Sequence, residues 1–302
     1  MKFNSEFIHK NVPIKHLVTF NIGGNADYFY TADSIDAICG AVDYANKKNL
    51  PVFILGGGSN LVVSDKGIEG LVIHNLCEDI CTVDKEKMQI KLSSGFPLSK
   101  LVDIALNESF AGAEFFAGIP GSIGGAICGN AGAYGKSISD ILVSCDIIDS
   151  EGKIRTVDKT YLQFDYRMSR VKKEPIVVLS AVFQLKDGDK KEIQSKIDEI
   201  LEQRHSKHPD KSVGCAGSFF KNLPPKNGET RRQAAGLFLD KVGAKSLSVG
   251  GASVFEKHAN FIINKGNATA EDVKQLAKIL KEKVKKEFDI TLEEEVRYVG
   301  RE

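Results

Sequence analysis

This chain of 302 residues has no excess of charge of either sign: 41 Lys and Arg stand against 40 Asp and Glu, a formal charge of +1. So balanced a chain has no long-range field to draw in nucleic acid or an acidic membrane surface, so neither is expected as a partner. No hydrophobic run reaches the length that spans a bilayer, and Met1-Lys2-Phe3-Asn4-Ser5-Glu6 lacks the apolar segment of a secretion signal. The six cysteines, Cys39, Cys77, Cys81, Cys128, Cys145 and Cys215, include no Cys-x-x-Cys and have no histidine beside them at zinc-ligand spacing. That argues against a metal centre and makes reduced thiols in the cytoplasm the simplest reading. Internal repeats and low-complexity segments are also missing. A small-molecule ligand is left as the default partner, and the chain is taken as a monomer.

What is present is enough apolar material, 42% of residues, for a chain of this length to bury roughly 75% of its unfolded surface without a disulfide or metal staple. Asp33-Ser34 opens a helix with Ile35, Ile38, Val42 and Ala45 at helical spacing, and 51–55 reads as a buried strand. Short strands follow at 61–63 and 70–73, then strand-like pattern over 80–94, a helix begun at Pro97 with Leu98, Leu101, Val102 and Ala105 on one face, and strands over 141–149 and 176–185. A polar break at 186–191 precedes a helix carrying Ile193, Ile197, Ile200 and Leu201, and the main boundary is placed after it, near His208-Pro209. Thr269 to Asp272 has capping-box spacing ahead of a stripe of Val273, Leu276, Ala277, Leu280 and Val284, whose lysine-rich outer face reads as solvated.

Glycine is where the chain is concentrated. Gly56-Gly57-Gly58-Ser59-Asn60 follows a strand but precedes no helix, so it is not a Rossmann fingerprint, and alone it reads as a tight turn. Gly118-Ile119-Pro120-Gly121-Ser122-Ile123-Gly124-Gly125-Ala126 and, soon after, Asn130-Ala131-Gly132-Ala133-Tyr134-Gly135 hold more glycine than joining strands requires. Residues without a Cβ let backbone pass close to a ligand, and converging N–H groups suit a pyrophosphate. Two such loops in one chain suggest a dinucleotide.

With Thr19-Phe20-Asn21-Ile22-Gly23-Gly24 before these loops, and Asp165-Tyr166-Arg167-Met168-Ser169, Ala216-Gly217-Ser218-Phe219-Phe220-Lys221-Asn222, Lys257 to Asn264 and Leu292 to Arg297 after them, the order of motifs resembles the UDP-N-acetylenolpyruvoylglucosamine reductases. These are MurB-type flavoenzymes of bacterial peptidoglycan precursor synthesis. The resemblance covers nearly the whole chain and fits the shorter form of the family, with no inserted tyrosine-bearing loop. It implies an α+β architecture: an FAD-binding domain of the vanillyl-alcohol-oxidase (PCMH) type over 1–205, with subdomains of about 1–75 and 76–205, and a smaller α+β substrate-binding domain over 206–302. Noncovalent FAD, NADPH as hydride donor and an enolpyruvyl ether of UDP-N-acetylglucosamine as substrate are implied with it. The cofactor-binding positions then expected are Gly23, Gly56, Gly57, Gly58, Ser59, Asn60, Gly118, Ile119, Pro120, Gly121, Ser122, Gly124 and Ala126.

The same resemblance gives catalytic roles to Arg167, Ser218 and Glu295. Hydride addition to the terminal enolpyruvyl carbon leaves negative charge at the carbon beside the carboxylate. A guanidinium suits it because its planar fork matches a carboxylate and stays charged. Ser218 is the expected proton donor, a role that needs neighbours to stabilise its alkoxide or resupply its proton, for which Lys221 and Asn222 are candidates. Glu295 is expected in its acid form, holding the enolate; if 292–298 is a strand, alternation puts Glu293, Glu295 and Arg297 on one face and does not single out Glu295. Tyr166, Lys221, Asn222 and His258 are the expected substrate-binding residues, with Lys257 a further candidate for the uridine diphosphate. One departure is Leu223 standing before Pro224-Pro225, followed by a charged stretch to Arg232. Two rivals remain: an FAD-dependent oxidase of a small alcohol on the same fold, and a non-catalytic nucleotide-binding module.

Overall fold

The structure is a computed structural model that describes residues 2–302. It divides into two compact units: unit 1 comprises residues up to Lys10, Tyr28–Gly57 and Gly70–Arg204, and unit 2 comprises Asn11–Asp27, Gly58–Glu69 and His205–Glu302. Both mix helices with mainly antiparallel sheets, an α+β arrangement.

In unit 1, helix α1 (Ile35–Lys47) starts where Ser34 accepts the Ala37 N–H at 3.2 Å, a cap worth about 1 kcal/mol. Its Ala37, Ile38, Ala41 and Ala45 bury against Leu71 and Ile73, whose strand runs parallel to Val52–Leu55. A five-stranded antiparallel sheet in the order Ile154–Asp158, Leu142–Ile148, Val177–Gln184, Gln89–Ser93, Cys81–Asp84 forms the second layer. Its inward residues, among them Ile90, Leu92, Ile147, Ala181 and Phe183, join helix α2 (Leu98–Asn107), which opens at Pro97.

Two short helices lie where the sequence reads as loop or strand. Helix α3 (Ile123–Cys128) forms inside the glycine-rich stretch because Ser122 caps it through the Gly125 N–H at 3.3 Å, and because Ile123 and Ile127 are fully buried. Packing here overrides the poor helical propensity of Gly124 and Gly125. Helix α4 (Ile138–Ile141) takes Ile141 out of the expected strand, which begins at Leu142, and its start is fixed by Asp140 accepting the Ser137 N–H at 2.7 Å. Within the expected polar break, Lys186–Asp187 pairs with Phe110–Ala111. Helix α5 (Lys190–Lys207) begins where Asp189 accepts the Lys191 and Glu192 N–H groups, and buries Ile193 and Ile197.

Unit 2 is a four-stranded antiparallel sheet, Gly214–Cys215, His258–Asn264, Ala252–Phe255, Ser248–Val249, covered by helices α6 (Ala235–Lys241) and α7 (Ala270–Phe288). The capping box at the start of α7 is formed, with Thr269 accepting from Asp272 N and Asp272 from Thr269 N, both at 3.0 Å. Val273, Leu276, Ala277, Leu280 and Val284 are all fully buried, packed with Phe20, Val62, Phe219 and Phe220. Arg297–Val299 pairs in parallel with Leu61–Val63, so only the end of the expected 292–298 strand is regular.

Candidate active site

In unit 1 the two glycine loops meet backbone to backbone. A Cβ on Gly57 would lie 2.8 Å from the Cα of Gly121, and one on Gly56 would strike the Ser122 hydroxyl. The Ile123 and Gly124 N–H groups are bound by Phe96 and Ser94 carbonyls, both at 2.9 Å, which fixes the loop as it enters α3. Those of Gly56, Gly57 and Ser122 have no hydrogen-bond partner among the described residues. Ile119 donates to Phe116 O at 2.9 Å, Gly118 stands at φ 71°, and Ala126 is buried in α3.

Arg167 sits in a tight turn closed by two hydrogen bonds between Asp165 and Met168, at 3.0 and 3.1 Å. Its φ of 57° is left-handed, a conformation uncommon for a residue with a long side chain and one that clusters at functional sites. The guanidinium anchors the turn: Nη2 donates to Gly132 O at 2.6 Å and Nη1 to Asn130 O at 3.4 Å, while Tyr166 lies under it at 5.3 Å. Asn130 returns the tie, its Nδ2 donating to Asp165 O at 2.9 Å. The third glycine-rich stretch therefore serves to receive Arg167, a role its composition did not reveal.

Gly58, Ser59 and Asn60 fall in unit 2, as does Gly23, whose missing Cβ would lie 2.6 Å from that of Val63. Asn60 brackets Glu295: its Nδ2 donates to Glu295 O at 3.2 Å and its own carbonyl accepts from Arg297 N at 2.9 Å. The Ser218 loop and the Glu295 segment are joined directly, with Glu295 N donating to Phe219 O and Lys221 N to Glu293 O, each at 2.8 Å. From the other side, Asn260, which is 3% exposed, fixes Phe220 twice: Oδ1 accepts its N–H at 2.9 Å and Nδ2 donates to its carbonyl at 2.8 Å. The Asn260 carbonyl takes the Phe219 N–H at 2.8 Å as well. Sequence reasoning passed over Asn260, although one polar residue within Ala259 to Ile263, otherwise apolar, is a readable sign of a buried structural amide.

The Ser218 hydroxyl is half-buried and makes no hydrogen bond among the described residues. Lys221 and Asn222 turn elsewhere. Lys221 pairs with Glu293 at 3.1 Å, and the Asn222 side-chain oxygen accepts from Ala235 N at 3.2 Å, at the start of α6. Leu223 does not disturb the loop: it pairs with Gln233 through two backbone bonds of 3.0 and 3.1 Å, closing the charged stretch off as a surface excursion. His258 accepts the Asn260 N–H on Nδ1 at 3.2 Å, which leaves Nε2 as the donor of the neutral ring. Burial pushes its pKa down, opposed by Asp240. It packs edge-on to Phe261 at 5.0 Å, with His208 6.1 Å away, while Lys257 is exposed.

A profile of FAD-binding domains matches residues 26–158, and one of the C-terminal domain of UDP-N-acetylenolpyruvoylglucosamine reductase matches 208–299. The UDP-N-acetylenolpyruvoylglucosamine reductase of Clostridium novyi (strain NT) is 38% identical over 299 residues, covering 99% of this chain and 94% of that protein. The chain belongs to the UDP-N-acetylenolpyruvoylglucosamine reductase family. The reductase of Listeria monocytogenes serovar 1/2a is 37% identical over 299 residues, covering 99% of this chain and 97% of that protein. The crystal structure of the Thermus caldophilus enzyme aligns with a TM-score of 0.79 at 30% identity, covering 97% of this chain and all of the other. Family membership favours the reductase reading over the oxidase one.

FAD is the cofactor that goes with this family and with the matched domain. The residues present fit it: where the two loops meet, the Gly56, Gly57 and Ser122 N–H groups have no partner among the described residues and can serve a phosphate.

Proposed function

We propose that this chain reduces the enolpyruvyl ether of UDP-N-acetylglucosamine to UDP-N-acetylmuramate, with NADPH as reductant, FAD assigned to 1–205 and the substrate to 206–302. Bound FAD, once reduced, supplies the hydride for the terminal enolpyruvyl carbon. Arg167 meets the substrate carboxylate, and its anchoring on Gly132 O and Asn130 O keeps the guanidinium from reorganising as charge develops. Ser218 Oγ gives its proton to the carbon beside the carboxylate, completing addition across the double bond. Glu295, as the acid, donates a hydrogen bond to the enolate oxygen.

The observation that carries the reading is the pair of backbone bonds joining 219–221 to 293–295, which fixes the proposed proton donor and the proposed acid on one rigid piece. Asn260 adds to it by holding the loop without using the Ser218 hydroxyl. Tyr166 and His258 are assigned to substrate contact, His258 through its Nε2–H. Lys221 and Asn222, being occupied by Glu293 and α6, act by shaping the loop. We place the enzyme in the cytoplasm as a monomer supporting cell shape and division; among the described residues no helix is long and apolar enough to cross a membrane.

An anaerobic titration tests the activity. NADPH should bleach the flavin absorbance and the enolpyruvyl substrate should restore it; a flavin that ignores NADPH, or stays bleached when substrate is added, contradicts the proposal.

A further inference from the structure

Arg204 stands in the last turn of α5 and has no role in the chemistry described above. Its Cδ lies 2.8 Å from where a Cβ on Gly118 would be, so the side chain passes directly over the glycine loop. Among the described residues the buried Arg204 Nε has no hydrogen-bond partner, and no carboxylate lies within ion-pair distance of it. Burial pushes its pKa down; the Tyr134 hydroxyl opposes that and the neighbouring Arg167 adds to it. A guanidinium does not shed its proton at working pH, so a half-buried one with no acid of its own is electrostatically incomplete. Lys91, also half-buried, is by contrast completed internally by Asp146 at 2.7 Å.

We infer that Arg204, beside Gly118, is a binding site for an oxyanion of a bound nucleotide. Two sources carry that chemistry: the diphosphate of FAD, and the carboxylate or diphosphate of the substrate. The assignment rests on the proposed function for the identity of those ligands, and on the unpaired donor and the glycine gap for its place. The gap itself matters, because a side chain at 118 would displace Arg204 from the loop.

The test uses Arg204→Gln and Arg204→Lys beside the parent protein. FAD affinity is read from flavin fluorescence on flavin-depleted protein, and substrate affinity from the flavin difference spectrum of FAD-saturated holoenzyme. Loss of a charge-assisted, bidentate contact should weaken one of the two by about 10- to 100-fold in the Gln variant, with the Lys variant intermediate because it keeps charge without the fork. Weaker FAD binding with substrate affinity unchanged assigns the site to the FAD diphosphate; weaker substrate binding with FAD affinity unchanged assigns it to the substrate. If the Gln variant does not fold, the Lys variant decides: parental affinity for both ligands in a folded variant overturns the inference. A parent protein that binds neither ligand sinks the functional reading first, and this inference with it.

Discussion

Arg167 and Ser218 are held in opposite ways. In unit 1 the functional side chain is part of its own scaffold: the Arg167 guanidinium bonds to the Gly132 and Asn130 carbonyls, adding to the Asp165–Met168 backbone pair and the Asn130 tie that close its left-handed turn. In unit 2 the scaffold is separate, since Asn260 and the ladder to Glu293 and Glu295 hold the loop and leave the Ser218 hydroxyl with no partner among the described residues. A group that only has to present a fixed charge can double as structure. A group that must give up a proton is better held by others, because a bond in which its own hydroxyl donates would have to break before that proton could be transferred.

Substitutions separate the two designs. Ser218→Ala should cut steady-state turnover by ~10²–10⁴-fold, the usual worth of a positioned general acid, with no change in thermal midpoint. Arg167→Ala should lower turnover and also destabilise the fold by about 1–3 kcal/mol in urea unfolding, because two carbonyls lose their donor. Equal stability for Arg167→Ala and Ser218→Ala would break the comparison. Asn260→Leu should behave as the reverse of Ser218→Ala: it strips the Phe220 N–H and carbonyl of their partner and should destabilise by about 2–4 kcal/mol, with activity lost as the loop loosens.

Smaller effects sharpen the picture around the loop. His258 has a pKa below the ordinary 6.5 because of burial, so the unfolded chain takes up its proton first. Its contribution to stability is therefore complete above pH 6.5 and lost as the pH falls towards the folded-state value, and His258→Phe should flatten that part of the unfolding free energy against pH. Lys221→Ala should matter least to stability, at about 0–1 kcal/mol, since its partner Glu293 is 73% exposed. A loss of several kcal/mol there would mean that the Lys221 ion pair, rather than Asn260 and the backbone ladder, holds the loop.

Much of this was legible in the chain itself, and for local reasons. Ser34 and Thr269 announce helices because caps are short-range devices, and the stripe from Val273 to Val284 is buried as its spacing requires. The glycine loops mark close approach, and what comes close in the structure is other protein: Gly121 against Gly57 and the Ser122 hydroxyl against Gly56. What escaped depends on partners distant in sequence. Asn60 falls in a glycine motif, yet its amide serves the backbone at Glu295, 235 residues away. Segments Asn11–Asp27 and Gly58–Glu69 cluster with the C-terminal part of the chain, which no composition change announces. Helix α3 exists because Ile123 and Ile127 are buried, against the propensity of its glycines. Arg204 was one charge among many on α5, and only its unpartnered Nε beside Gly118 sets it apart.

The division of labour is tested most directly by following the two half-reactions of Ser218→Ala separately under anaerobic stopped flow. The account predicts that NADPH bleaches the variant's flavin at the parent rate, while its recovery on mixing with the enolpyruvyl substrate is slowed at least about a hundredfold. Recovery at the parent rate would contradict it.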